Sequence, residues 1–245
     1  LDRDILFFPS SENLKKLEAS PWYGIIHFPP TGDPSKHPGI NSTEVVKKIS
    51  KNKIAKTCKG LIALSAQNFH IIKQHSSIPA IHIQHPKFCD NVTCNIEQLI
   101  KNKTIRQTCI SYRSTKQFLS LDTKLKKYIS ISDYKEKELL KDLPAGTQFI
   151  TKHKSDTDYI RDLTSSIGFS YYIDVSASNL ILEHLVTATP IVVNKKPATV
   201  EYLGEDYPMY YENICSNPNI YLMNDFFIKK THNFLKERRK LDQFS

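Results

Sequence analysis

Asp174-Val-Ser-Ala-Ser-Asn-Leu-Ile-Leu-Glu-His-Leu-Val-Thr-Ala-Thr-Pro-Ile-Val-Val-Asn194 is the stretch from which the rest of the chain is read. It reads as a polar loop and then a short helix carrying one acidic residue, Glu183. A tight break at Thr189-Pro190 follows, and then an apolar strand from Ile191 to Val193. A helix with small residues at its mouth leaves backbone N–H groups facing outward. Those donors and the helix dipole both favour negative charge, which suits the phosphates of a nucleotide. Glu183, about one helical turn further in, is placed to accept hydrogen bonds from a ribose diol.

Outward from this segment, short apolar runs alternate with amphipathic ones, the pattern of an α/β chain with a largely parallel sheet. Strands are expected at Ile5–Phe8, Tyr23–Phe28, Gly60–Leu64 and Ala80–Ile83, with helices at Glu12–Ala19, Thr43–Ser50 and Ala66–His75. Pro29-Pro30 and Gly32-Asp-Pro34 break the first series. The rhythm is lost between His85 and Lys103, where a hinge is expected. It resumes with strands at Thr104–Ser111, Tyr128–Ile131, Gln148–Thr151 and Tyr171–Ile173. Helices are expected at Asp133–Lys141 and Asp156–Ile167, and a long terminal one at Asn224–Leu241. The expected division is a domain over 1–95 and another over 96–245.

Composition narrows the class. An apolar fraction of 40%, with 12 Phe and 12 Tyr, suits a globular chain that can bury its own cores. No apolar run approaches the ~18 residues of a membrane span. The chain opens on Leu1 without a charged-then-apolar leader, so a fragment or processed form is expected. The 34 basic and 25 acidic residues give +9, which attracts an anion or simply keeps the surface solvated. The basic residues are scattered. Only Phe226–Lys230 and Lys236–Lys240 approach a patch, and neither interleaves aromatics as nucleic-acid modules do, so no nucleic-acid partner is expected. The five cysteines (58, 89, 94, 109 and 215) form no disulfide framework or zinc pattern. Reduced thiols in the cytoplasm account for them, with chance accounting for the sequons at Asn41, Asn91 and Asn102. His82 and His85 lack an evident third ligand, so no metal is expected.

The opening segment resembles the donor-binding segment of the GT-B glycosyltransferases, specifically the retaining, group 1-like, nucleotide-sugar-dependent ones. The family's small-residue loop and Leu-Glu helix correspond to Leu182-Glu183. Its small-x-Pro-strand element corresponds to Ala188-Thr-Pro-Ile-Val-Val193, and Pro197–Pro208 continues the likeness. The resemblance is strongest over Thr104 to Tyr211. The family's earlier acid, eight positions before Glu183, falls here on Val175, with Asp174 beside it.

The resemblance implies two Rossmann-like domains of GT-B type, the N-terminal one short or truncated and on the acceptor side. The C-terminal one would bind the nucleotide sugar, and its last helix is placed to cross back. It implies donor binding at Asp174, Ser176, Ser178, Asn179 and Glu183, where Ser176, Ser178 and Asn179 equally serve as helix caps. Arg113 and Lys116 correspond to the family's cations on the departing diphosphate, although Lys116 also reads as a solvated residue at a helix start. His27, at a strand tip, corresponds to a sugar-contacting His, and a lone His is more often structural. Glu201 and the following Glu205-Asp206 are candidates to approach the acceptor or the nucleotide base, while the tyrosines at 202, 207, 210 and 211 read first as core, with a sugar platform as the alternative.

The implied function is transfer of a sugar from a nucleotide diphosphate to a hydroxyl acceptor in glycan or glycoconjugate synthesis, with retention and with no cofactor or metal. The alternatives are a non-catalytic GT-B-like scaffold binding a glycan or a protein, a nucleotide-sugar epimerase, and, on charge alone, a nucleic-acid binder.

Overall fold

A computed structural model describes residues 15, 17–31, 41–85, 92–108, 113–131, 148–151 and 155–241, with backbone alone at 131, 148–151 and 241. Contacts divide the chain into two compact units, Leu1–Pro86 with Asp174–Ser178, and Lys87–Ile173 with Asn179–Ser245. The strand expected at Ile5–Phe8, the Gly32–Pro34 breaker, the helix at Asp133–Lys141, Cys89, Cys109 and the Asn91 sequon lie outside the described residues.

In the first unit, β1 (Trp22–Ile26), α1 (Ser42–Lys51), β2 (Cys58–Ala63), α2 (Ala66–His75) and β3 (Ala80–His82) follow in order. The strands form a parallel sheet in the order β1-β2-β3. Side chains alternate across a strand, and here one face is dressed: Trp22, Gly24 and Ile26 are buried while Tyr23 and Ile25 are exposed. The core joins Trp22 and Ile26 to Val46, Ile49, Leu61 and Ile72. Asn41 caps α1, its side chain accepting from the Glu44 N–H at 2.9 Å. Ser65 caps α2 in the same way through the Asn68 N–H at 3.3 Å. Each such cap contributes about 1 kcal/mol. Buried Asn68 donates to the carbonyls of Ile26 (3.3 Å) and Phe28 (3.0 Å), fixing the chain where it leaves β1 at His27.

In the second unit come α3 (Ile96–Asn102), β4 (Thr104–Thr108), α4 (Thr115–Ser120), β5 (Lys126–Ile131), β6 (Gln148–Thr151), α5 (Asp156–Thr164) and β7 (Ile167–Ser170). They are followed by α6 (Asn179–Val186), β8 (Ile191–Val193), α7 (Pro197–Leu203), α8 (Tyr211–Ile214), α9 (Pro218–Leu222) and α10 (Asp225–Leu241). All strand pairs are parallel, in the order β6-β5-β4-β7-β8. The sequence of strands therefore runs outward one way from β4 and then reverses to β7. Such a reversal leaves a crevice at the carboxyl ends of the two central strands, where α/β sheets bind ligands.

Two sequence expectations need correction here. The strand read at Tyr171–Ile173 lies earlier, at Ile167–Ser170, and the preceding helix stops at Thr164. The aromatic pair Tyr171-Tyr172 has high strand propensity but sits past the strand's end, and the real strand is disguised by Gly168 and Ser170. The arrhythmic region before Lys103 contains α3, whose only buried residue is Leu99, too little for an apolar period to show.

The basic run of α10 turns out to be structural. Arg238 donates to the carbonyls of Tyr202 (2.9 Å) and Glu201 (3.0 Å), closing the carboxyl end of α7 beside Gly204. Gly204, at φ 86°, takes the positive-φ turn that ends this helix. Tyr202, Tyr207 and Tyr210 are buried as core, and the Tyr207 hydroxyl donates to the Ile191 carbonyl at 2.7 Å. Among the described residues no helix is long and apolar enough to cross a membrane.

Candidate functional site

The crevice between β4 and β7 is stitched just beyond the strand ends. Arg113, following β4, forms an antiparallel bridge with Tyr172, following β7. The next N–H, of Ser114, donates to the Tyr171 carbonyl at 2.8 Å. The Arg113 guanidinium is oriented from two sides. Its Nε donates to Oγ of buried Ser170 at 2.8 Å, and its Cζ lies 5.1 Å from the centre of the Tyr172 ring. A planar cation held by a hydrogen bond and a ring face keeps one direction, unlike a solvated lysine.

Glu183 comes to the same cluster on α6. That helix buries Leu180, Ile181, Leu182, His184 and Leu185, leaving Glu183 half-buried. Its Oε2 accepts a hydrogen bond from the Tyr159 hydroxyl, which arrives on α5. Among the described residues, no hydrogen bond to Oε1 is made. Burial pushes the Glu183 carboxyl above its ordinary pKa, while the Tyr159 hydrogen bond and the Arg113 charge pull it back. The Tyr159 phenol is driven far up, first by burial and then by the neighbouring carboxylate, so it remains a donor.

The carboxyl end of α6 is anchored by remote groups. Arg239 donates to the Val186 carbonyl at 2.7 Å, the Cys94 N–H to Thr187 at 2.7 Å, and His232 Nδ1 to Ala188 at 2.7 Å. Within the turn, His184 Nδ1 donates to the Thr189 carbonyl at 3.0 Å. Burial lowers the His184 pKa to about 4, so its ring is neutral near neutral pH. The ring lies against Gly168, where an added Cβ would come 2.4 Å from its Cε1. Ala188, at φ 52°, holds the tight break before Pro190 that the sequence shows.

Of the residues singled out in sequence, Arg113 and Glu183 come close enough in this cluster for the Arg113 charge to act on the Glu183 carboxyl. Lys116 is exposed in the first turn of α4, and Asn179 is exposed where α6 begins. Asp174, Ser176 and Ser178 group with the first unit. There Asp174 Oδ2 accepts from Thr31 through its N–H (2.7 Å) and its hydroxyl (2.6 Å). The Ser176 hydroxyl donates to the His27 carbonyl, and the His27 ring stacks on Phe28 with centroids 5.1 Å apart. Val175 is buried. Sequence reading misses Tyr159, Ser170 and Tyr172. Placing the strand at Ile167–Ser170 would have put Ser170 and Tyr172 at its end, beside Arg113. Among the described residues, no three His, Cys, Asp or Glu side chains are grouped to hold a metal.

No protein-family model matches the sequence, and no curated protein does. Solved structures do match. S. aureus TarM, as a mutant in complex with fondaparinux, α-GlcNAc-glycerol and UDP, superposes at TM-score 0.68 and 15% identity over 91% of this chain and 48% of its own. WaaG, a glycosyltransferase involved in lipopolysaccharide biosynthesis, does so at 0.58 and 10% over 96% and 76%. The UDP-forming α,α-trehalose-phosphate synthase from Burkholderia vietnamiensis gives 0.61 and 9% over 91% and 63%. The fold is GT-B. The chain spans about half the length of the TarM structures, at 47% and 48% of theirs. Within the GT-B frame, the five-stranded sheet with its reversal at β4 and β7 is the Rossmann-like unit that carries Arg113 and Glu183.

Proposed function

We propose that the chain binds a nucleotide-diphosphate sugar in its second unit and transfers the sugar, with retention, to a hydroxyl of a glycan or glycoconjugate acceptor. The observation that carries the reading is Arg113 held at the switch point of a parallel sheet, within reach of the Glu183 carboxyl by its charge. Breaking a sugar–phosphate bond builds negative charge on the departing diphosphate. A guanidinium already fixed by Ser170 and Tyr172 meets that charge without reorganising, which lowers the barrier. The amide end of α6 adds positive potential, so we assign charge stabilisation to these groups rather than to a metal. Glu183, with one oxygen held by Tyr159, offers the other to the ribose hydroxyls.

Uridine diphosphate is the first nucleotide to test, because TarM and the pneumococcal O-GlcNAc transferase GtfA were each captured with it. The reading places the reaction in the cytoplasm, where the buried Cys58 and Cys94 thiols stay reduced. Calorimetric titration with nucleoside diphosphates is expected to give binding that Glu183→Ala weakens by roughly 10- to 100-fold, the worth of hydrogen bonds to a charged group. Arg113→Ala is expected to lower the transfer rate by about 100-fold or more. Unchanged nucleotide binding in Glu183→Ala removes the donor-site assignment. The buried Val175, standing where the family places its first acid, favours a second reading of nucleotide binding without catalysis. Binding with neither transfer nor hydrolysis of any nucleotide sugar would select it.

A further inference from the structure

We propose that Tyr159 is a positioning residue for the nucleotide, presenting the Glu183 carboxylate to the ribose through a hydrogen bond from its hydroxyl. The inference rests on the donor-site reading above and adds a residue to it. Three features support it. Tyr159 comes from a different helix, α5, so the contact ties two elements and is no accident of neighbouring sequence. Its hydroxyl occupies Oε2 alone, and a carboxylate pinned at one oxygen keeps its second oxygen in a fixed direction. Its burial and the adjacent carboxylate keep the phenol protonated, so it can act only as a donor to Glu183.

The groups facing Glu183 are Tyr159 from α5 and Arg113 from the segment after β4, with Tyr172 acting on Tyr159 in turn. Without the phenol, Glu183 would keep the burial that raises its pKa and lose one of the two influences that lower it. The carboxyl would then take up a proton at higher pH than in the wild type. A protonated, unpinned carboxyl is a poorer partner for a diol.

The test uses the tightest binder among uridine, guanosine, cytidine and adenosine diphosphates and its 2′-deoxy counterpart, titrated calorimetrically between pH 5 and 8. In the wild type, the 2′-deoxy nucleotide is expected to bind about tenfold more weakly. In Tyr159→Phe that discrimination should fall to about twofold, and the acid-side loss of binding should move to higher pH. Glu183→Asp withdraws the carboxylate from Tyr159 by one methylene while keeping its charge. It should lose the discrimination in the same way, which keeps the test alive should Tyr159→Phe not fold. If Glu183→Ala weakens binding while Tyr159→Phe and Glu183→Asp keep wild-type discrimination and pH profile, this proposal falls and the donor site stands. If Glu183→Ala binds like the wild type, or no nucleoside diphosphate binds, the donor-site reading falls and takes this proposal with it.

Discussion

The two sheets of this chain are both parallel, yet they meet solvent differently. In the first unit β1 alternates, with Trp22, Gly24 and Ile26 inside and Tyr23 and Ile25 outside, and Ile81 on β3 is exposed at 54%. In the second unit every residue of β7 and β8 is buried. A strand covered on both faces has no neutral position, so every side chain and every missing side chain on it has a packing consequence. A strand covered on one face has neutral positions at every second residue. The difference predicts where substitutions will be felt.

The largest contrast is between two glycines. At Gly168 an added Cβ would overlap the His184 ring at 2.4 Å, whereas at Gly60 the nearest atoms, in Tyr23 and Pro79, lie at 3.4 and 3.5 Å. Gly168→Val is expected to cost roughly 3 kcal/mol or more, read as a fall in Tm, and a compensating His184→Ala should recover part of it. Gly60→Ala should be within about 1 kcal/mol of neutral. Equal costs at the two sites would erase the distinction between the sheets.

Acid provides the next handle. His184 has its pKa lowered in the fold from 6.5 to about 4, so the unfolded chain binds the proton more readily. Its contribution is complete above pH 6.5 and is lost as pH falls toward 4, on the order of 3 kcal/mol. Denaturant titrations across that window should show the slope, and His184→Gln should flatten it. The smallest expected effect is at the outer face of β1. Ile25→Thr and Tyr23→Ser should each change stability by about 0.5 kcal/mol or less. A loss of several kcal/mol at either position would mean that this face is covered in solution.

Legibility follows the same division of labour between local and long-range signals. The helix at Ala66–His75 and the strands at Gln148–Thr151 and Ile191–Val193 are legible as they stand, because caps, breaks and apolar runs announce them locally. The strand at Ile167–Ser170 is hidden because its Gly168 answers to His184, far along the chain, and no local pattern encodes that contact. Arg113 and Glu183 are legible from the family likeness. Their partners are not. Tyr159 looks like one more residue of a charged helix until α5 and α6 are brought together, and Ser170 and Tyr172 gain meaning only with the strand boundary corrected.

Arg239, His232 and the Cys94 amide grip the turn that follows Glu183 on α6, and the Glu183 carbonyl accepts the Thr187 N–H of that turn at 3.0 Å. A disturbance of that grip reaches Glu183 through the helix backbone. Trimming the chain before His232 would therefore act as a lesion at a distance, loosening the aim of Glu183 though nothing near it had been altered.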